Sequence, residues 1–465
     1  MTAVRDRYNV LTKWILQSFI RSPPRTTIIG FACVILIGTA LLLLPSAATD
    51  QSLGFVDALF TSTSATCVTG LVVVDTGSAL SLFGQLVILV LVQAGGLGIM
   101  TLSTLFLLIA GRRPSLASRV VIQDTFTQNG EQTLPSILRD IVLFTLVIEG
   151  IGMAAMFIRF LPGREVANAL YLSLFHSVSA FCNAGFSLFS QSFVEYQRDW
   201  VLNLVICLLI VSGGIGFLVL SELKRQFPFT RRRWSRLSLH SKLVLFSTTI
   251  LLIFSTLLIT AMEWHNSLAP LSVPGRFLAD FFQSVSARTA GFNMLAIGNL
   301  ANETLFVLML LMFVGASPGS CGGGIKTTTF AALAVLGISR LRGQERPQLF
   351  HRTISEGSTG KAVSIVIISA LVVIIATMII LMTELGELPH PLSRGKFLEL
   401  FFEVVSAFGT VGLSTGVTAG LSMAGKLIIT FVMFAGRLGP LMVAMAVSRH
   451  SAPRFHYAEE NIMVG

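Results

Sequence analysis

The chain has 465 residues, 53% of them hydrophobic and 12% charged, and a formal net charge of +10. Its mean hydropathy of +0.79 excludes a compact water-soluble globule. Charge-free runs at 26–49, 76–111, 166–194, 200–221, 243–262, 304–325, 362–383 and 404–425 mostly reach the roughly 20 apolar residues that a bilayer core requires, so the chain reads as a polytopic membrane protein.

In chain order, a basic segment comes first, with Arg5, Arg7, Lys13, Arg21 and Arg25 and the pair Pro23-Pro24. Basic residues before an apolar run suggest a secretory signal, but the run is too long and lacks a small-x-small cleavage site. A retained first span behind a cytoplasmic, interfacial segment is expected instead. Eight full spans are expected near 26–46, 80–110, 137–160, 200–223, 242–262, 304–340, 362–383 and 426–448. Half-spans near 56–66, 170–181, 277–287 and 397–408 are too short to cross the bilayer and return.

The chain thus divides into an N-terminal segment 1–25, four units at 26–115, 116–236, 237–355 and 356–449, and a tail 450–465. On this map 23 of the 33 Lys and Arg fall on the N-terminal side and seven on the other face. Clusters at Arg112-Arg113, Lys224-Arg225, Arg231-Arg232-Arg233 and Arg340 to Arg352 put both termini in the cytoplasm. Topology explains these charges without nucleic acid. Arg288, Lys326 and Arg437 lie at membrane depth.

Each half-span ends in a related turn: Ser64-Ala-Thr-Cys-Val-Thr-Gly70-Leu, Ser179-Ala-Phe-Cys-Asn-Ala-Gly185-Phe, Ser286-Ala-Arg-Thr-Ala-Gly291-Phe and Ser406-Ala-Phe-Gly-Thr-Val-Gly412-Leu. The third is one residue shorter. The glycines are 115, 106 and 121 residues apart, which implies four quarter-units around an axis. Non-helical backbone at membrane depth must be buried in protein or line a water-filled cavity, and four sets of carbonyls can replace the hydration shell of a monovalent cation. Thr69, Gly70, Ala184, Gly185, Ala290, Gly291, Val411 and Gly412 are the expected filter residues. The glycines alone could equally be helix C-caps or packing positions; their register argues for a pore.

Half-helices entering from outside would point their partly negative C-terminal ends at the membrane centre. Asp57, Asp280 and Glu399 are expected near half-helix N-termini, as caps, as attractors of cations at the outer mouth, or both. Arg288 is expected to point away from the axis and hold its loop through carbonyls or a carboxylate. Further strings, Gly95-Gly-Leu-Gly98, Gly213-Gly-Ile-Gly216 and Gly436-Arg-Leu-Gly439, follow three of the turns and allow close helix contact or a kink.

The third unit breaks differently, at Gly315-Ala-Ser-Pro-Gly-Ser-Cys-Gly-Gly-Gly-Ile-Lys326. A regular helix cannot continue through it, and a flexible break below the filter suits a gate, carried by Gly315, Ser317, Pro318, Gly319, Gly322, Gly323, Gly324 and Lys326. Its likeness to a phosphate loop fails, because Ile325 separates glycine from Lys326 and a membrane span precedes it. Arg437 in the last span is costly and usually functional at such depth. It bonds the carbonyls of the break, repels cations in the cavity, or snorkels to the cytoplasmic face.

Glu149 is expected in a helix-packing hydrogen bond or interfacial ion pair, and His176 as a packed polar residue at a helix end. Cys33, Cys67, Cys182, Cys207 and Cys321 show no metal or disulfide spacing.

These turns, with Ser286-Ala-Arg-Thr-Ala-Gly-Phe-Asn293, the break 315–326 and Gly436-Arg-Leu-Gly-Pro440, resemble the Trk/Ktr/HKT superfamily of potassium and sodium uptake proteins over nearly the whole chain. The early first filter unit and the ending Tyr457-Ala-Glu-Glu-Asn-Ile-Met-Val-Gly465 look most like the Ktr-type membrane subunit. The resemblance implies an all-α membrane fold of four membrane–pore loop–membrane repeats, with eight transmembrane helices and four re-entrant half-helices around one pseudo-fourfold pore. It implies potassium uptake across the cytoplasmic (inner) membrane, with sodium as a further ion and no organic cofactor.

It also implies a homodimer, an intramembrane gating loop with Arg437 as its partner, and a cytosolic ring of nucleotide-binding RCK/KTN (KtrA-like) regulatory subunits. Glycine at Gly70 goes with potassium rather than sodium in that superfamily. An alternating-access transporter would show two inverted repeats, which fits less well than four same-direction units. A membrane enzyme needs convergent His, Asp or Glu at membrane depth, and the spans supply too few.

Overall fold

The computed structural model describes residues 23–49, 51–98, 134–226, 231–344 and 346–439. The segment before Pro23, the pair Arg112-Arg113, the ends of the second and last expected spans and the tail 450–465 lie outside them. The described helices are α1 (Pro23–Leu42), α2 (Phe55–Thr66), α3 (Leu82–Leu97), α4 (Leu134–Phe160), α5 (Val166–Phe181), α6 (Trp200–Ile215), α7 (Phe217–Arg225), a short helix Arg231–Arg236, and α8 (Leu239–Glu263). There follow α9 (Val273–Ser286), α10 (Asn302–Phe313), α11 (Thr327–Leu341), α12 (Glu356–Leu385), α13 (Lys396–Gly409) and α14 (Met423–Leu438). Between α11 and α12 a two-residue antiparallel ladder pairs Gln348 with Thr353 and Leu349 with Arg352.

Helix starts follow local chemistry. Ser81, Asp199, Ser238, Ser355 and Ser422 each precede a long apolar helix and accept the N–H three residues on, which satisfies a donor left free by the first turn. Among the described residues, Leu138–Phe160, Leu239–Glu263 and Glu356–Leu385 are long and apolar enough to cross a bilayer unbroken.

The other long segments are not straight spans. α3, α6 and α14 stop at Gly98, Gly216 and Gly439, whose φ values are 83°, 99° and 84°. At Gly216 the axes of α6 and α7 diverge by 98°. α10 stops at Val314, at the head of the glycine-rich break. The first glycine of each string serves packing instead: a Cβ at Gly95, Gly213 or Gly436 would overlap the carbonyl oxygen of Thr66, Phe181 or Phe408, at the end of the preceding short helix. All three strings therefore supply close contact, and the one at 213–216 also supplies a kink.

The short helices α2, α5, α9 and α13 have 12, 16, 14 and 14 residues. α5 and α9 begin four residues earlier than the sequence suggests, α9 because Pro274 starts its first turn. Asp280 consequently sits in the middle of α9 and is fully buried, so it is neither a cap nor a mouth residue. Asp57 and Glu399 do occupy first turns.

Outward faces are apolar, with Ile37, Val90, Ile151, Ile158, Phe254, Ile367 and Met382 exposed, as on helices bathed in hydrocarbon. Inside are two apolar clusters. One gathers Leu172, Phe175, Phe181 and Ile206 from the first half of the chain and takes in Phe282, Phe292 and Met294. The other gathers Met312, Phe402, Phe408 and Ile429 and takes in Phe60, Cys67 and Leu71. Each half completes its core with residues around a turn of the other.

Candidate functional site

The four turns share a backbone shape. Two residues before each glycine stands a left-handed residue: Val68 (φ 56°), Asn183 (59°), Thr289 (67°) and Thr410 (49°). The glycines themselves have φ 91° at Gly70, 72° at Gly185, 77° at Gly291 and 92° at Gly412. Side chains in this region cost roughly 1–2 kcal/mol each, and three of these four are β-branched. Such strain persists where the surroundings over-determine it.

The serine heading each turn is part of that surrounding. Ser64 Oγ donates to Leu71 O at 2.7 Å and accepts Gly70 N–H at 3.1 Å. Ser179 donates to Phe186 O at 2.7 Å, Ser286 donates to Phe292 O at 2.5 Å, and Ser406 accepts Gly412 N–H at 3.1 Å. The amides of Thr69, Ala184, Ala290 and Val411 bond back to the carbonyls of these serines at 2.8–2.9 Å. The shorter third turn loses its residue between Ser286 and Thr289, so its last three residues match the others.

The turns close into a ring. A Cβ placed on Gly70 would lie 2.5 Å from Ala184 O, and one on Gly185 would lie 2.9 Å from Ala290 O. One on Gly291 would overlap Val411 O, and one on Gly412 would overlap Thr69 O. The next glycine's Cα would be only 3.0, 3.1, 3.2 and 3.0 Å away, respectively. All eight expected filter residues therefore come together, each glycine against the carbonyl that precedes the next glycine.

Outside the ring a cavity of about 480 Å³ is lined by all four glycines and by Asp75, Ser190, Asn293 and Ser414. Burial alone would raise the pKa of Asp75, but hydrogen bonds from Ser190 and from Ser78 and Gly77 outweigh it and hold the carboxyl below its usual range. The Gly77 and Ser78 amides donate to Oδ1 at 2.8 and 3.0 Å. Asp75 was not among the expected residues; an acid five positions beyond a filter glycine was the available signal.

Inside the ring lies the break 315–326, and its residues are gathered as a unit. Val314 and Ile325 pair as a parallel bridge, and Gly315 N–H donates to Ile325 O at 2.8 Å. Ser317 and Cys321 amides donate to Gly214 O and Gly213 O at 3.1 and 3.2 Å, while Phe217 N–H donates to Gly319 O at 3.0 Å. Pro318 O lies against Gly216, and Gly322 against Thr289. Gly323 N–H donates to Thr410 Oγ1 at 2.9 Å, Gly324 N–H to Gly436 O at 3.4 Å, and Lys326 Nζ to Gly322 O at 2.7 Å.

Arg437 donates from Nη1 to Cys321 O and from Nη2 to Gly95 O, so one guanidinium joins the break to the end of α3. Arg288 is buried and donates to Thr248 Oγ1 on α8 at 3.4 Å. That partner is a hydroxyl, not the carbonyl or carboxylate expected, because the shortened turn carries Arg288 toward α8.

Lys426 Nζ pairs with Asp57 Oδ1 at 2.7 Å, linking α14 to α2. Glu403 on α13 accepts from Ser414 Oγ, Thr415 N–H and Thr418 Oγ1 and so ties α13 to the segment after its turn. Glu149 accepts from Cys182 Sγ at 3.9 Å, and Ser177 Oγ donates to the Glu149 carbonyl, a helix-packing contact. His176 is fully buried, stacked on Phe189 and bonded to Leu172 O and Ser187 Oγ.

A helical membrane protein with four short helices ending on one ring of glycines belongs to the class of ion-transport proteins. The chain is a member of the TrkH family of cation transport proteins, which matches residues 12–457. It is 38% identical to the Ktr system potassium uptake protein B of Bacillus subtilis, covering 100% of both chains. It is 37% identical to the protein of that name from Vibrio alginolyticus over 95% of each chain. Identity to the potassium/sodium uptake protein NtpJ of Enterococcus hirae is 34%, over 96% of this chain and 97% of that one. The fold matches the crystal structure of the potassium transporter TrkH from Vibrio parahaemolyticus with a TM-score of 0.71 at 18% identity, covering 90% of this chain and 83% of the other. The resemblance drawn from the four turns is borne out, and the family is one of transporters rather than enzymes.

Proposed function

We propose that this chain takes up potassium across the cytoplasmic membrane through the ring at Gly70, Gly185, Gly291 and Gly412. The observation that carries the reading is the closure of that ring, in which each glycine abuts the carbonyl of Thr69, Ala184, Ala290 or Val411. Carbonyls so arranged can replace water around a monovalent cation, and the C-terminal ends of four short helices add negative potential. The chain then comprises four repeats at 26–115, 116–236, 237–355 and 356–449, eight spans and four re-entrant half-helices, with both termini cytoplasmic.

The break 315–326, held under Thr289 and Thr410 and clasped by Arg437, acts as the gate. A homodimer controlled by a cytosolic nucleotide-binding ring is the accompanying assembly. Sodium is the second candidate ion, favoured by the relative named a potassium/sodium uptake protein. The test is growth rescue of a potassium-uptake-deficient cell, with and without a cytosolic regulatory subunit, followed by flux in vesicles. Rescue by the wild type is expected, as is relaxed potassium-over-sodium selectivity in Gly70→Ser. Failure to rescue in any pairing, or unchanged permeability ratios in Gly70→Ser, overturns the assignment.

A further inference from the structure

Asp280 and Gln283, one turn apart on α9, are fully buried, and neither carboxylate oxygen of Asp280 nor either amide atom of Gln283 has a hydrogen-bond partner. The neighbours that act on Asp280 from α8 are Thr260 and Glu263, also one turn apart and buried. Thr260 Oγ1 is unpartnered, as is Thr304 Oγ1 on α10.

Glu263 differs from them. Its Oε1 accepts Ala301 N–H at 2.9 Å, and its Oε2 accepts Asn266 Nδ2 at 2.9 Å and Ser267 N–H at 3.3 Å. The nearby basic side chains are engaged elsewhere. Arg276 donates to Leu271 O, Trp264 O and Ala269 O, and Arg288 to Thr248.

We propose that Asp280, Gln283 and Thr260 form a binding site for a small monovalent cation between α8 and α9, separate from the glycine ring. A buried carboxylate must be neutralised or paired, because desolvating it otherwise costs far more than a fold can supply. A proton would leave a carboxylic acid needing an acceptor of its own, yet neither oxygen of Asp280 has a hydrogen-bond partner. Carboxylate, amide and hydroxyl oxygens are hard ligands of the kind that hold unpolarisable cations. Three N–H donors already solvate Glu263, so Asp280 is the carboxylate left for a ligand, and one carboxylate with neutral amide and hydroxyl oxygens suits a monovalent ion better than a divalent one. Occupancy would brace α9 against α8 and thereby hold the turn that α9 carries to Gly291.

The test is equilibrium binding of radioactive sodium to the purified full-length protein in excess potassium chloride, which competes at any potassium-selective ring. The wild type is expected to keep one saturable, potassium-resistant sodium site. Asp280→Asn abolishes it, and Gly70→Ser retains it. Thr260→Val, which preserves the carboxylate, is expected to weaken it by about tenfold or more, the scale of disturbing a metal site's supporting groups, and it serves if Asp280→Asn does not elute as a single folded species. No potassium-resistant site in the wild type, or unchanged affinity in folded Asp280→Asn or Thr260→Val, overturns the proposal. None of these results depends on potassium passing through the ring, which the rescue experiment tests separately.

Discussion

A side-chain carbon on Gly412 would overlap the carbonyl oxygen of Thr69, so the last turn of the chain seats against the first with no room for a methyl group. Space is less tight at Gly185, where a Cβ would stand 2.9 Å from Ala290 O. Both positions carry the left-handed backbone cost of roughly 1–2 kcal/mol for a side chain and both clash with a carbonyl, but the overlap at Gly412 is much the more severe. Gly412→Ala is therefore expected to lose more flux and more thermal stability than Gly185→Ala. Potassium flux and melting curves of the two purified variants measure this, and the reverse order would contradict the ring geometry.

Arg437 bonds two carbonyls that no other side chain satisfies in the described hydrogen bonds, those of Cys321 and Gly95. Charge-assisted bonds of this kind contribute about 1.5–3 kcal/mol each. Arg437→Gln should loosen the break and raise flux in vesicles lacking any cytosolic partner. Arg437→Lys should not restore wild-type behaviour, since an ammonium cannot present the planar fork that spans both oxygens. Unaltered basal flux in both variants would remove Arg437 from the gate.

The Asp57–Lys426 pair fastens α14 to α2, with 31% and 16% of the two side chains exposed. At that exposure solvent screening limits the pair to about 1 kcal/mol or less. Asp57→Asn and Lys426→Met should each lower stability slightly, and the double variant should lose less than the sum. A double-mutant cycle on melting temperature reads the coupling; strict additivity would mean the contact contributes nothing.

Asp75 bears on pH. Its folded-state pKa is depressed, so the stability it contributes is present above its unfolded-state value and is lost only as pH falls through the lower folded value. The outer mouth therefore stays charged through the normal carboxylate range. Asp75→Asn should reduce flux most at low ionic strength, where screening is weak. The wild type should show no loss of flux attributable to Asp75 across neutral and mildly acid pH. A variant whose flux matches wild type at every salt concentration would show that the charge does not draw ions in.

Much of the site was legible in the chain because spacing alone carries it: glycines 115, 106 and 121 residues apart mark four equivalent turns. The residues that strain into the left-handed region were not legible. Asn183 is a type that tolerates it, but Val68, Thr289 and Thr410 are not, and their conformation is imposed by the serine bonds and by neighbouring turns. Asp280 misled for a related reason. Pro274 starts α9 early and moves the acid from the helix end to its buried middle. The kink at Gly216 was among the options the small residues allowed, yet only packing against Thr66, Phe181 and Phe408 shows why the first glycine of each string cannot carry a side chain.

By itself the sequence determined the apolar solvent and the four glycine turns, since hydropathy and repeat spacing are properties of local segments. Which residues meet across the axis was decided only by the tertiary structure. The contact of Gly412 with Thr69 and the bridge from Arg437 to Cys321 and Gly95 each join segments more than a hundred residues apart. Those pairings exist because four turns of one chain close on one another, and closure is a condition that no single turn encodes.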